Sequence, residues 1–284
     1  MSTTEWIITH GPAQPAAPVV LDSPHSGCQF PADFGAGVSE SDLRSGEDCF
    51  VDELFAPATA QGVWLLAALF PRTYVDANRH AGDIDLALLE GGAWPDLYRP
   101  SGLAAIGKTL AWRTLDDGRD IYHRRLSVAE LRGRIARCHE PYHRALRERI
   151  TATHQRYGLC VHLNCHSMNA VGSLHTAGAP GKPRPDFVVG DLDGSSAAPE
   201  LTALVANTLR QSGHDVAIND PFKGFELTRA YSQPAAGRHS LQLEINKRLY
   251  MDEARVEKTA GFGPLQAEMT ALVAVVNDWA LQRC

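Results

Sequence analysis

The sequence predicts a three-layer α/β domain, on two observations. Short apolar, β-branched runs bounded by turn residues recur along the chain, and helical patterns with one apolar stripe lie between them. A chain of 284 residues with 44% hydrophobic side chains is long enough to bury the core such a domain needs, and we read residues 1–284 as one domain.

The strand-like runs are, in order, residues 19–21, 63–69, 73–75, 159–163, 187–189, 216–218 and 241–245. The longest helical pattern covers about 128–156, where Val128, Leu131, Ile135, Cys138, Tyr142, Leu146 and Ile150 recur at steps of three and four. Ser127 with Glu130 three positions on reads as its capping box, and Pro141 should kink or divide it. A second helix is expected over about 197–211. A third closes the chain, with Leu265, Met269, Leu272, Val273 and Val276 on one face. The Gly/Pro/Ala-rich stretch 177–185 reads as an exposed loop over a surface site. Strand order and direction are not legible at this level.

The 27 basic and 33 acidic side chains leave a net charge of −6, without the basic runs that nucleic-acid binding requires. The first residues lack a basic segment followed by an apolar run, and no stretch approaches the roughly 20 apolar residues of a membrane span. A soluble, cytoplasmic protein without nucleic-acid or membrane partners is expected. Cys28, Cys49, Cys138, Cys160, Cys165 and Cys284 form no CxxC pair, which fits reduced thiols. Any metal must then be held by histidine and carboxylate.

Polar residues gather where the apolar runs end, the edge at which open α/β sheets place their sites. Asp22-Ser23-Pro24-His25-Ser26-Gly27 follows the first run, and there His25 is a turn histidine or a ligand. In His162-Leu163-Asn164-Cys165-His166-Ser167, period two puts His162, Asn164 and His166 on one face. His162 reads best as a hydrogen-bonded core residue, and His166, at the strand exit, as a ligand or a structural histidine. Asn78 and Arg79 offer a bidentate clamp for a carboxylate, or else an ordinary surface salt bridge. Gln242 and Glu244 alternate on an apolar strand, where a carboxylate is costly to bury unless it faces a partner or a cleft.

Together these segments resemble the N-formylglutamate amidohydrolase (deformylase) family, related to zinc carboxypeptidases and aspartoacylase. The likeness runs from Pro18 to Glu253. It is carried by SPHSG (23–27), the Glu47-Asp48 segment leading into DELF (52–55), RTYVDANR (72–79), GRDIYHRRLS (118–127), EPYHRAL (140–146), NCHSM (164–168), PFKGFELTRAYSQP (221–234) and LQLEINKRLYMDE (241–253). Cys49 stands where the family has an aromatic residue, Ala77 where it more often has leucine, and His80 where it has proline.

The resemblance implies a central mixed β-sheet of the zinc-carboxypeptidase, phosphorylase/hydrolase-like type. It implies one Zn²⁺ ion held by His25, Asp48 and His166, with Glu47 the alternative third ligand and other divalent metals acceptable to the same donors. It makes Glu244 the general base and Arg72 the residue that stabilises the oxyanion. Asn78 and Arg79 would grip the α-carboxylate of the substrate, and Lys223 and Arg229 are candidates for its second carboxylate.

The expected reaction is hydrolysis of N-formyl-L-glutamate to formate and L-glutamate, with histidine degradation one pathway it could serve. The alternatives are a deacylase or carboxypeptidase acting on another N-acyl amino acid or short peptide, and a metal-free binding protein for acidic metabolites. A cysteine nucleophile is disfavoured, because Cys165 and His166, adjacent on a strand, face opposite sides. The oligomeric state stays open.

Overall fold

The computed structural model describes residues 2–3, 5–173 and 180–284. Eight strands form one sheet: β1 (Ser2–Thr3), β2 (Ile7–His10), β3 (Val19–Ser23), β4 (Trp64–Ala68), β5 (Cys160–Met168), β6 (Phe187–Gly190), β7 (Val216–Ile218) and β8 (Arg238–Asn246). Their order is β1-β2-β4-β3-β5-β8-β6-β7. Strands β4, β3, β5 and β8 run parallel. At one side β2 is antiparallel to β4, and at the other β6 is antiparallel to β8 while pairing parallel with β7. The sheet is therefore mixed, with a parallel centre.

The helices are α1 (Glu40–Leu43), α2 (Val51–Phe55), α3 (Val128–Arg134), α4 (Glu140–Tyr157), α5 (Pro199–Gln211), α6 (Glu226–Tyr231) and α7 (Phe262–Leu281). Alternation along the central strands sorts the core into two layers. Leu163 and Cys165 of β5 and Leu241, Leu243 and Ile245 of β8 join one buried cluster with side chains of α2, α5 and α7. The opposite face, with Val20, Leu66 and Cys160, packs on Tyr142, Leu146 and Ile150 of α4 and on Leu227 of α6. The three-layer α/β expectation is met.

The capping box at Ser127 and Glu130 forms as read, with the Ser127 hydroxyl accepting from the Glu130 amide and the Glu130 carboxylate from the Ser127 amide. The division expected at Pro141 takes the form of a π turn, Ile135–His139, between α3 and α4. The Glu140 amide there reaches back to the carbonyl of Ile135. The wider turn carries the chain into α4 with Pro141 in its first turn, where a missing amide costs least.

Two readings need correction. Residues 73–75 are not a strand: Pro71 opens a turn, closed by the Tyr74 amide on its carbonyl at 3.0 Å, and Tyr74 and Val75 are buried by packing against the second cluster. β-Branched and aromatic content mimicked a strand where only burial was at stake. Strands β1 and β2 were not anticipated, since two and four residues are too few for periodicity to register. Of the expected loop 177–185, residues 177–179 lie outside the described residues; residues 180–183 are exposed, and Arg184 is buried.

Candidate active site

Four parallel strands deliver their C-terminal ends to one edge of the sheet, and the polar side chains of that edge line a cavity of about 510 Å³. Strand β3 runs into the Pro24 turn and presents His25, which is buried. The turn is tight because Gly27 passes against the backbone of β4's exit: a Cβ there would sit 2.3 Å from the carbonyl oxygen of Phe70. The Asp48 amide donates to the carbonyl of His25 at 3.0 Å, and the Ser26 hydroxyl to the carbonyl of Asp48 at 3.1 Å. These two bonds seat Asp48 beside the histidine.

His25, Asp48 and His166 are all buried, and their candidate ligand atoms lie within 4.8 Å of one another. Nε2 of His25 is 2.7 Å from Oδ1 of Asp76, and Nε2 of His166 is 2.7 Å from Oδ1 of Asn164. With a proton on each Nε2, as these acceptors require, both Nδ1 lone pairs face the Asp48 carboxylate, at 3.3 Å from His25 and 2.9 Å from His166. Three electron-pair donors directed at one point, each steadied from behind, suit a divalent cation with an open coordination position. Glu47, the alternative, turns away to pair with Arg44 at 2.8 Å.

Burial raises the Asp48 carboxyl, but when the Nδ1 atoms of His166 and His25 carry the protons instead, their hydrogen bonds and the charge of Arg72 outweigh burial and hold the group below the usual carboxylate range. His166 is pushed down, chiefly by burial. Asp76, fully buried, is likewise raised by desolvation and more than offset by His25, Arg79 and Arg72.

Glu244 stands in register with His166 across the β5–β8 pair and takes a hydrogen bond from Gln242 Nε2 at 2.8 Å. Burial, followed by the nearby negative charge of Asp48, pushes its carboxyl up to about 8. Arg72 bridges the two carboxylates, 3.6 Å from Asp48 and 3.1 Å from Asp76, and packs over the Trp112 ring. Asn78 accepts from the Leu227 amide at 2.9 Å through Oδ1 and approaches Gln242 with Nδ2. Arg79 lies over the Phe225 ring, with Nε on the carbonyl of Lys108.

Lys223 and Arg229 line the cavity but stand exposed, paired with Asp193 at 2.9 Å and Glu226 at 3.3 Å. Arg229 also lies over Phe225, sharing that ring with Arg79. The structure thus gathers around one cavity the nine residues His25, Asp48, His166, Glu244, Arg72, Asn78, Arg79, Lys223 and Arg229, but not Glu47, the alternative ligand. His162 is the core residue expected, held by Asp22 and Ser240 at 2.8 Å. Cys165 points into the opposite core, where burial drives its thiol well above the ordinary value.

Sequence reasoning missed Asp76, although its place two residues before Asn78 carried the same strand-exit signal. It also missed Arg184 and Lys247, both buried in the cavity wall, because neither has a distinguishing local pattern.

A model of the N-formylglutamate amidohydrolase family matches residues 17–251. An N-formylglutamate deformylase of Pseudomonas aeruginosa is 31% identical over 241 residues, covering 83% of each chain. One of Pseudomonas putida is 25% identical over 94% of each. The crystal structure of N-formylglutamate amidohydrolase from Ralstonia eutropha JMP134 superposes with a TM-score of 0.91 at 41% identity, covering 99% of this chain and 100% of that one. A gene product of Agrobacterium tumefaciens, 20% identical over 95% of this chain and 96% of its own, shares the fold with a TM-score of 0.61.

Proposed function

The chain belongs to the N-formylglutamate amidohydrolase family, and from that premise we propose that it hydrolyses N-formyl-L-glutamate to formate and L-glutamate with a metal ion held by His25, Asp48 and His166. The observation that carries this reading is the convergence of two Nδ1 atoms and a carboxylate beside a buried, proton-binding Glu244. A Zn²⁺ ion bound there would lower the pKa of water from roughly 15.7 to about 7 and polarise the formyl carbonyl.

The chain's own residues supply the rest. Asn78 and Arg79 hold the α-carboxylate through amide and guanidinium donors. That anchors the scissile amide over Glu244. Arg229, above the same aromatic ring as Arg79, and Lys223 are within the cavity wall to meet the γ-carboxylate. Glu244 takes a proton from the attacking water and returns it to the amide nitrogen as the C–N bond breaks. A carboxyl poised near neutrality can do both. Arg72, fixed by Asp48 and Asp76, offers its guanidinium to the oxyanion.

The test is formate release from N-formyl-L-glutamate by the purified protein, before and after chelation and after zinc is restored, with metal content measured on the same sample. Chelator-sensitive release restored by zinc supports the reading. Bound metal without release discards the substrate, and neither metal nor release favours a binding protein for acidic metabolites. Faster turnover of other N-acyl amino acids or short peptides would move the assignment to a deacylase or carboxypeptidase of the same mechanism.

A further inference from the structure

Along β8, Glu244 is flanked by two groups of donors that line the cavity. One is the carboxylate clamp: Asn78 approaches Gln242, two residues before Glu244 on β8. The other begins three residues after Glu244. Lys247, 5% exposed, leaves the end of β8 and sends Nζ to Oδ1 of Asn169 at 2.8 Å. Arg184, 7% exposed, reaches the same asparagine through its carbonyl at 3.0 Å and lies over the Phe222 ring. Asn169 itself stands three residues beyond His166, just past the paired ends of β5 and β8.

This second group is built into the fold. Asn246, fully buried and next in the chain to Lys247, donates to the carbonyls of Arg184 and Pro185 at 3.2 and 3.0 Å and accepts from the amide of Arg248. It thereby fixes the backbone at both positions. Arg72 and Lys108 are matched by carboxylates of the chain, Asp48, Asp76 and Asp116. Lys247 has no ion pair among the described residues; its named polar contact is a neutral amide oxygen. The Glu47 carboxylate feels its charge, but is committed to Arg44. A buried ammonium facing a cavity without a paired carboxylate is a site for an anionic ligand group.

With the α-carboxylate on Asn78 and Arg79 and the acyl carbon beside Glu244, whatever extends beyond the acyl carbon runs toward Lys247 and Arg184. A formyl group has nothing to place there. We infer that Lys247 and Arg184 form an acyl-side anion subsite, and that the enzyme also hydrolyses N-acyl amino acids whose acyl group ends in a carboxylate. In that reaction water adds to the acyl carbon, the C–N bond breaks, one proton of the water goes to the amide nitrogen and the other is released by the new carboxyl group to the amine, and a dicarboxylate and the amino acid with its ammonium group leave. The inference rests on the substrate orientation proposed above.

The test compares kcat/KM for N-glutaryl-L-glutamate and for its uncharged counterpart N-hexanoyl-L-glutamate, in the wild type, Lys247→Met and Lys247→Arg, with N-formyl-L-glutamate assayed alongside. Expected is a glutaryl preference of roughly tenfold or more in the wild type, lost in Lys247→Met and kept in Lys247→Arg. A ratio near one in the wild type, or one unchanged in a Lys247→Met protein whose circular dichroism is native, overturns the subsite. Should N-formyl-L-glutamate not be cleaved, the proposed function fails by itself, and calorimetric titration with glutarate still decides. Binding weakened by Lys247→Met and retained by Lys247→Arg supports the subsite; equal binding in all three proteins overturns it.

Discussion

Asp76 accepts the Nε2 proton of His25 and at the same time engages Arg72 and the Trp112 indole. It therefore sets the ring orientation of one proposed ligand and the position of the proposed oxyanion donor together. Asp76→Asn keeps the shape and removes the charge. Its affinity for zinc, measured by competition with a chelating dye, should fall about 10- to 100-fold; an unchanged affinity would remove Asp76 from the site. Glu244→Gln should instead keep the metal and lose turnover by roughly 10²- to 10⁴-fold, read as kcat for formate release with zinc content measured in parallel. The site was legible where chemistry and strand periodicity coincide, as at His166 and Glu244. It was illegible at Lys247 and Arg184, whose meaning comes from where two chain segments meet around Asn169.

Among the elements, α3 shows a helix start that local sequence determines. Ser127→Ala deletes the hydroxyl that caps the Glu130 amide and should cost about 1 kcal/mol, read as a lowered urea midpoint. Arg134 at the other end of α3 is a tertiary device. Fully buried, it donates to the carbonyls of Tyr74 and Phe34 and to the Tyr122 hydroxyl, and its guanidinium lies near all three aromatic rings. It holds in place the segment that leads to Asp76, Asn78 and Arg79. Arg134→Met strands those acceptors in the core and should cost about 3 kcal/mol or more in the same measurement. Helical periodicity marked position 134 only as part of a long pattern; nothing local distinguishes a surface arginine from one caged by residues 12 to 100 positions away.

At the scale of the molecule, the parallel centre of the sheet brings residues from positions 25 to 247 to one edge, and its electrostatics tie stability to the metal. Unfolded, Glu244 releases its proton near 4.5; folded, it does so at about 8. Between those values the native state binds the extra proton, so this group's contribution to stability falls as pH rises. A cation on His25, Asp48 and His166 would offset the charge that forms. Chelation should therefore lower Tm more at about pH 8 than at about pH 6, a difference that scanning fluorimetry would resolve; equal losses at both would separate Glu244 from the metal. The three layers were readable from apolar runs interleaved with helical patterns, whereas strand order and direction were not, since pairing between β3 and β5 or β5 and β8 joins residues far apart in sequence.

The π turn between α3 and α4 makes spacing as much a constraint as residue identity. Upstream of it Arg134 holds the carbonyl of Tyr74. At its end and in α4, His139 and His143 hold the carbonyls of Arg79 and Ala77 at 2.8 Å. Both ends of one short segment are thus gripped from a single continuous helical rod whose angular phase passes through the wide turn. Removing one residue from Ile135–His139 would rotate everything beyond it by about 100° relative to what precedes it, swinging His143 off its carbonyl while leaving every side chain named above unchanged. Among related sequences, therefore, the count of residues between Ser127 and His143 should resist insertion and deletion even where the residues themselves drift.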